Sequence, residues 1–460
     1  MKHHPVSPAS AALKRVAQGG LSLELLLALT LKGGGAVASF AFNLLLVRAL
    51  GATRLGEFQV ALATATLGAT VALCGLDLLV TRAVAVAREH GQFADARASA
   101  RHAVRVAGSM GVGLGVAVAV LSGALARHLF DRAEIQPFLI VMSAAIPLLV
   151  LTRVVAGALR SAGKLLISQS LDGVAYTGLA TVLLAAAVLL TADPPAPLAA
   201  ITYLIGTAVV AGTGLLLLGR TMRGWPDGGR SQVVLRAGVP IASVYVLLQL
   251  TEWVILAVLT NDSGAAVAGN YRVIFQFCGL FLIVFTAFNA IVGPHIAAAV
   301  ARHDVDRVLS VARTSGMIGA ALTLPLLIVL MVFPAALLSF FDPSFAGGAP
   351  ALRILAVAHF FNVLLGPLGA ILVMSHREKQ LLIGEIAAAA SGCGAAVLLV
   401  PHWGLVGAAT AAAITLLVRN AIGMSFVLLA LGQDRRRAPA LHAGTPASHD
   451  LAPPAEERPA

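Results

Sequence analysis

The sequence predicts an all-α, polytopic membrane protein of about twelve transmembrane helices in two parallel six-helix lobes around a central cavity. Three observations predict it: an apolar composition, long apolar runs and an internal repeat. Of the 460 residues, 58% are hydrophobic and 12% are charged, whereas soluble domains are about half apolar and about a quarter charged. The apolar runs are long and do not alternate with polar residues, so they indicate membrane helices and not the strands of a barrel.

Twelve apolar runs are long enough to cross a bilayer, which takes about 20 residues as a helix. A polar, basic segment at 1–21 precedes them. A Pro- and Ala-rich tail at 434–460 follows, and its composition predicts disorder. The predicted spans 1 to 12 are residues 22–49, 56–79, 103–127, 137–157, 166–190, 198–219, 237–260, 267–297, 312–340, 350–374, 381–400 and 404–431.

The basic residues predict the orientation of these spans. When residues within two positions of a span end are counted with the adjacent loop, five of the 32 Lys and Arg residues fall inside spans, and most others flank the side shared by both termini. Loops and span ends on the opposite side hold only Arg48, Arg54, Arg127 and Arg132. We therefore expect a multi-pass protein of the bacterial inner membrane with both termini in the cytoplasm. The net charge of +11 then reflects this orientation. The basic side also attracts the anionic headgroups of membrane lipids, and no nucleic-acid partner is expected.

A repeat of about 213 residues divides the chain into two halves. Residues 56–60 (GEFQV) align with 269–273 (GNYRV) at an offset of 213, as do Pro137 and Pro350. The sequence therefore predicts an N-lobe at 22–228 and a C-lobe at 229–433, joined in the Gly- and Pro-rich stretch 220–232. Because each half has an even number of spans, the halves run parallel, a pattern that permits alternating access to a site between them.

Polar side chains recur on one face of spans 1, 2, 7 and 8. Charged residues inside a membrane are costly and usually face a cavity or a partner. The predicted cavity residues are Lys32, Ser39, Asn43, Gln59, Tyr245, Gln249, Glu252, Arg272 and Gln276. Further candidates are Arg419, His359 and Asn362 in the C-lobe. For the small polar residues, simple helix packing is an equally good interpretation.

The charged residues favour an anionic, hydroxyl-rich ligand, since Lys and Arg bind phosphate oxygens well. No paired carboxylates, nucleophile triad or metal-ligand spacing is visible, so neither an enzyme nor a cofactor is expected. A coupling ion, H⁺ or Na⁺, stays open. Glu252 is the candidate proton carrier, although an ion pair with Lys32 or Arg272 explains it equally well.

Three stretches carry a resemblance to a known family. They are VRALGATRLGEFQVALATATLGATVALCGLDLLVTRAVA at 47–85, RSAGK at 160–164 and WGLVGA at 403–408. Over residues 20–431 the chain resembles the O-antigen and exopolysaccharide flippases of the multidrug/oligosaccharidyl-lipid/polysaccharide exporter (MOP) superfamily.

The resemblance implies movement of an undecaprenyl-diphosphate-linked oligosaccharide from the inner to the outer leaflet through a cationic cavity. In this sequence, Lys32 in span 1 and Arg272 in span 8 occupy places comparable to those of the cations in that family's cavity. The implied partners are the lipid-linked oligosaccharide, a polysaccharide polymerase and glycosyltransferases.

Two alternative functions stay open. A cation-coupled multidrug exporter of the same superfamily would share the fold, but its cavity should be acidic and aromatic. A membrane-embedded polysaccharide polymerase or glycosyltransferase would need a sizeable outer loop, whereas outer loops here are short, such as those at 191–197 and 401–404. The sugar composition of the substrate is not predictable from the sequence.

Overall fold

The computed structural model describes residues 23–191, 195–302, 304–375 and 377–443, and every regular element among them is helical. Ten helices of this part are long and apolar enough to cross a membrane. Two of the ten bend at a glycine with non-helical backbone angles, Gly51 and Gly404. Each of these two helices therefore makes two crossings, so the ten helices account for the twelve predicted spans.

The helices of the first half are Leu23–Leu73 (spans 1 and 2), Leu76–Glu89, Phe93–Ala124 (span 3), Gln136–Ser143 and Ala145–Ser161 (span 4), Leu165–Gln169 and Ala175–Leu190 (span 5), and Leu198–Thr221 (span 6). Those of the second half are Leu235–Ser263 (span 7), Ala265–Ala301 (span 8), Val305–Val332 and Pro334–Ser339 (span 9), Ala349–Leu364 and Leu368–Met374 (span 10), and Glu378–Ala443 (spans 11 and 12). The sequence predicts a disordered tail from residue 434, but its first ten residues, 434–443, are helical and form the end of this last helix.

The predicted end of span 2 at residue 79 is wrong. The helix ends at Leu73 because Cys74 and Gly75 both have positive φ, 45° and 75°. A separate helix, Leu76–Glu89, then begins and buries one face only. The apolar run continues across this break, so hydropathy alone extends the span too far.

The turn between the first two spans of each half is the same in both lobes. Gly51 has φ 86° and ψ 166°, and Gly264, 213 residues later, has φ 95° and ψ 166°. Almost only glycine adopts these angles. A single glycine therefore reverses the chain at matching places, which supports the repeat.

Spans 2 and 8 cross at small residues that are equivalent in the repeat. A Cβ on Gly56 would lie 1.7 Å from the Ala265 carbonyl oxygen, and one on Gly269 would lie 3.1 Å from that of Ala52. Ala-x-x-x-Gly pairs of this kind let membrane helices approach closely. Because each lobe presents the same pair to the other, the crossing lies on a pseudo-twofold axis.

The lobes meet closely at the end that carries Gly51 and Gly264, here called the hairpin end. Asn261 Nδ2 donates to the Leu129 carbonyl at 2.8 Å, and Arg132 Nε donates to that of Thr260 at 3.4 Å. Arg48 donates to the Phe340 carbonyl at 2.6 Å. The opposite end, here called the basic end, carries the loops after spans 2, 4 and 6.

Candidate functional site

Two cavities flank span 8 between the lobes. The first cavity, about 480 Å³, lies among spans 1, 2, 5, 6 and 8. The second cavity, about 560 Å³, lies mostly among spans 7, 8, 10, 11 and 12. Both are lined by Phe275, Gly279 and Leu282 of span 8, so the two cavities adjoin. The second cavity extends towards the basic end, where Leu372 and Leu381 line it.

A chain of hydrogen bonds crosses between the lobes at the first cavity. Gln59 Nε2 donates to Asn43 Oδ1 at 2.8 Å, and Asn43 Nδ2 donates to Gln276 Oε1 at 2.7 Å. Arg272 Nε donates to Gln59 Oε1 at 3.4 Å. Gln59 and Arg272 are repeat equivalents in direct contact, so the pseudo-twofold axis passes through the polar centre of the protein.

Arg272 joins this chain to the second cavity. Its Nη1 lies 3.7 Å from Glu252 Oε2, and its guanidinium carbon lies 5.4 Å from the centre of the Phe275 ring. The side chains of Arg272 and Glu252 keep 22% and 34% of their surface exposed. A ligand can therefore reach Arg272 without breaking a fully buried pair.

The other predicted residues fall in one cavity or the other. Ser39 lines the first cavity, and Tyr245 and Gln249 line the second. Gln249 Nε2 donates to Thr66 Oγ1 across the lobes at 3.2 Å. Lys32 lies in span 1, but its side chain is outside the described part of the structure.

The three further candidates also line the second cavity. Arg419 forms a two-point ion pair with Glu385, both N···O distances being 2.8 Å. Asn420 Nδ2 donates to Asn362 Oδ1 at 3.0 Å. His359 packs against the rings of Phe275 and Phe281, and its Nε2 is buried without a hydrogen-bond partner among the described residues.

Sequence reasoning missed several residues of the site. Glu385 is 2% exposed and holds Arg419 in place. It lies near the start of span 11, where a charge ordinarily meets lipid headgroups. The isolated charge of Arg419 in span 12 indicated a partner, which could equally have been a carboxylate, a carbonyl or water. Arg153 lines the second cavity, and Tyr176 and Tyr203 line the first. The repeat gave no signal for these three.

The charged groups that line the two cavities are mostly cationic. Arg153, Arg272 and Arg419 line the cavities with Glu252 among the described residues, and Glu385 behind the wall pairs with Arg419, so three cations meet two carboxylates. The cleft therefore favours anions, and its arginines suit phosphate oxygens because a guanidinium can donate two parallel hydrogen bonds. No cluster of three His, Cys, Asp or Glu side chains that could hold a metal ion occurs in the described ranges.

Comparison with known proteins gives a family match and a fold. A family model described as polysaccharide biosynthesis protein matches residues 24–299. A multidrug resistance MATE family transporter of the MOP superfamily, in an inward-facing conformation, is similar with a TM-score of 0.73 at 17% identity, over 87% of this chain and 96% of that one.

Two further solved structures share the fold. An outward-facing MATE family transporter of the MOP superfamily has a TM-score of 0.62 at 18% identity, over 90% of this chain and 96% of that one. A MOP superfamily transporter from Pyrococcus furiosus, described as having a binding pocket of reverse polarity, has a TM-score of 0.64 at 18% identity, over 90% and 95%. No curated protein matches the sequence.

Proposed function

The chain belongs to the polysaccharide biosynthesis protein family, and we propose that it is a flippase for an oligosaccharide linked to undecaprenyl diphosphate. It moves this substrate across the bacterial inner membrane for surface polysaccharide synthesis and catalyses no covalent step. The observation that carries the proposal is the cationic cleft between two lobes of MOP-superfamily fold, with Arg272 at its centre.

The diphosphate of the substrate binds the arginines of the cleft. Arg272, Arg153 and Arg419 reach the cavities from three different spans. Arginine pairs with phosphate in a bidentate geometry that also fixes the ligand's orientation. The amide and hydroxyl groups of Asn43, Gln276 and their neighbours provide donors and acceptors for sugar hydroxyls, and the buried Nε2 of Gln276 has no partner among the described residues.

Transport proceeds by alternating access. Contacts between the lobes at the hairpin end close the cleft there, while the second cavity extends to the basic end. With both termini in the cytoplasm, this is a state that loads substrate from the cytoplasmic side. Rocking of the lobes about the Gly56–Gly269 crossing then opens the hairpin end.

The ion that drives transport is H⁺ or Na⁺, and Glu252 is the residue for a coupled proton. It is the acidic group that lines the second cavity, and Arg272 lies beside it at 3.7 Å. Protonation of Glu252 removes its ion pair with Arg272, and Arg272 is then free to bind the substrate. Proton binding and substrate binding are therefore linked.

The proposal is tested in a deletion strain of the native host, complemented with the wild-type or a variant chain. The readouts are surface polysaccharide and the leaflet that holds the lipid-linked oligosaccharide. We expect the linked units to accumulate on the cytoplasmic leaflet in the deletion strain. Normal display on the outer leaflet would contradict the proposal.

Drug export is the competing function, because multidrug transporters share this fold. The arginine excess in the cleft opposes cationic drugs. A deletion strain that becomes drug-sensitive while its surface polysaccharide is unchanged would favour export. A strain in which the lipid-linked unit is never completed would instead favour a biosynthetic enzyme.

A further inference from the structure

A second basic site lies on the outside of the N-lobe, away from the cleft. It is a groove of about 340 Å³ between spans 3 and 6 at the basic end, and we call it the basic groove. Its polar rim is Arg97, Arg101 and Arg105, spaced one helical turn apart on span 3. None of its lining residues lines either cavity between the lobes.

The floor of the basic groove is apolar. It consists of Ala100, Val104, Leu215, Leu218, Gly219 and Met222. Elsewhere on the same two spans, the side chains of Leu216 and Val112 are 68% and 54% exposed. Since large exposed apolar side chains on a membrane protein face lipid, the basic groove opens to the bilayer and its arginines lie at the level of the headgroups.

The rim has more positive charge than its protein partners neutralise. Asp227 lies 3.2 Å from Arg97 and 2.5 Å from Arg101, and Arg97 also donates to the Trp225 carbonyl. Arg105 forms no ion pair within the described part of the chain, and its Nε donates only weakly to the Arg101 carbonyl at 3.4 Å. Three cations thus face one carboxylate.

We infer that the basic groove binds an anionic phospholipid of the bilayer. The phosphate binds Arg101 and Arg105, and an acyl chain lies along the apolar floor between spans 3 and 6. Basic pockets between membrane helices are suited to anionic headgroups, and arginine forms strong charge-assisted hydrogen bonds with phosphate. A free phosphate ion would leave the apolar floor unused, so the groove favours a lipid.

Gly219 allows the floor to be tested without changing charge. A Cβ on Gly219 would meet nothing within 4 Å, and the same is true of Gly212, two turns earlier on span 6 and outside the groove. Both residues are exposed. Gly219→Leu therefore fills the groove, while Gly212→Leu adds the same side chain elsewhere on that helix.

Native mass spectrometry of the purified protein, with equal amounts of phosphatidylglycerol and phosphatidylcholine, tests the inference. We expect the wild type to retain phosphatidylglycerol preferentially. Arg101→Gln and Arg105→Gln should each weaken this retention about fivefold. Gly219→Leu should reduce it at least about tenfold, as expected for a filled pocket, and Gly212→Leu should leave it unchanged.

Three results would overturn the inference. Equal retention of the two lipids would show that the rim does not select charge. An equal loss of phosphatidylglycerol retention in Gly219→Leu and Gly212→Leu would indicate non-specific contact with the surrounding lipids and no defined site. Displacement of phosphatidylglycerol by inorganic phosphate would assign the rim to a free anion. If Gly219→Leu does not fold, the arginine variants, with Arg313→Gln of span 9 as control, decide between the same outcomes.

Discussion

Polar residues inside the apolar spans form the hydrogen-bonded centre of the protein. Asn43, Gln59, Arg272 and Gln276 were predicted as cavity residues and form one hydrogen-bonded chain. An amide or a charge in a membrane helix requires a partner, and these side chains are hydrogen-bonded to one another. Which partner it finds depends on how helices distant in sequence pack, and one sequence does not reveal that.

The first prediction concerns the charge of Arg272. Arg272→Gln keeps a donor for Gln59 but removes the proposed charged contact to phosphate, worth about 1.5–3 kcal/mol. We expect about ten- to hundredfold less lipid-linked oligosaccharide on the outer leaflet at unchanged protein level. The control is Arg353→Gln, since Arg353 is exposed and donates to the Met331 carbonyl at 3.1 Å. Wild-type transport by Arg272→Gln would remove this residue from the substrate site.

The second prediction concerns Glu252 as a proton carrier. Glu252→Gln cannot exchange a proton but keeps the shape of the side chain. If protons drive transport through Glu252, we expect the rate in proteoliposomes to lose its dependence on an imposed pH gradient. A variant that still follows the gradient as the wild type does would exclude Glu252 as the coupling residue and leave its role as a partner of Arg272.

The third prediction concerns the ion pair of Glu385 and Arg419. Glu385→Ala leaves a cation without its partner, which costs about 3 kcal/mol where Arg419 is still partly solvated. We expect a lower midpoint of thermal unfolding in detergent, with the exposed Glu89→Ala as control. The double variant Glu385→Leu/Arg419→Met should recover most of the loss. A single variant as stable as the wild type would contradict the structural role of the pair.

At the scale of elements, apolar length predicted the number of membrane crossings, and the repeat predicted where equivalent turns occur. The break after Leu73 and the helix Leu76–Glu89 were not predicted, because Cys74 and Gly75 lie inside a continuous apolar run. Hydropathy measures how apolar a segment is and says nothing about its φ angles. The close crossing of spans 2 and 8 was likewise not predicted, because it depends on how the Ala-x-x-x-Gly pairs of the two helices pack against each other.

The fourth prediction concerns that crossing. A Cβ at Gly56 would lie 1.7 Å from the Ala265 carbonyl oxygen, and since both atoms belong to backbone-anchored groups the helices must separate. We expect Gly56→Ala to destabilise the protein by about 1–3 kcal/mol and to slow transport. Gly113→Ala, whose Cβ meets nothing within 4 Å, should be neutral or slightly stabilising. Equal effects of the two substitutions would contradict the packing described here.

At the scale of the whole molecule, the repeat and the basic residues together predicted two lobes around a cleft. The repeat gave the parallel arrangement, and the structure adds that Gln59 and Arg272, equivalent residues, touch on the axis. The state of the cleft was not predictable. Which end is closed depends on contacts such as Asn261 with Leu129, between the ends of spans 3 and 7, and these residues carry no sequence signal for the contact.

The fifth prediction concerns closure at the hairpin end. Cysteines at positions 129 and 261, in a chain whose three native cysteines are replaced, can be joined by a short reducible cross-linker. We expect the cross-link to stop transport and reduction to restore it, while either single-cysteine variant transports normally after the same treatment. Continued transport by the cross-linked protein would contradict rocking of the lobes.

The most direct measurement of the central claim is leaflet-selective labelling of lipid-linked oligosaccharide in the deletion strain. It is made with no complementing gene, with the wild type, and with Arg272→Gln. The account predicts units trapped on the cytoplasmic leaflet in the first and third strains and displayed on the outer leaflet in the second. Outer-leaflet display in all three strains would contradict a flippase with Arg272 at its substrate site.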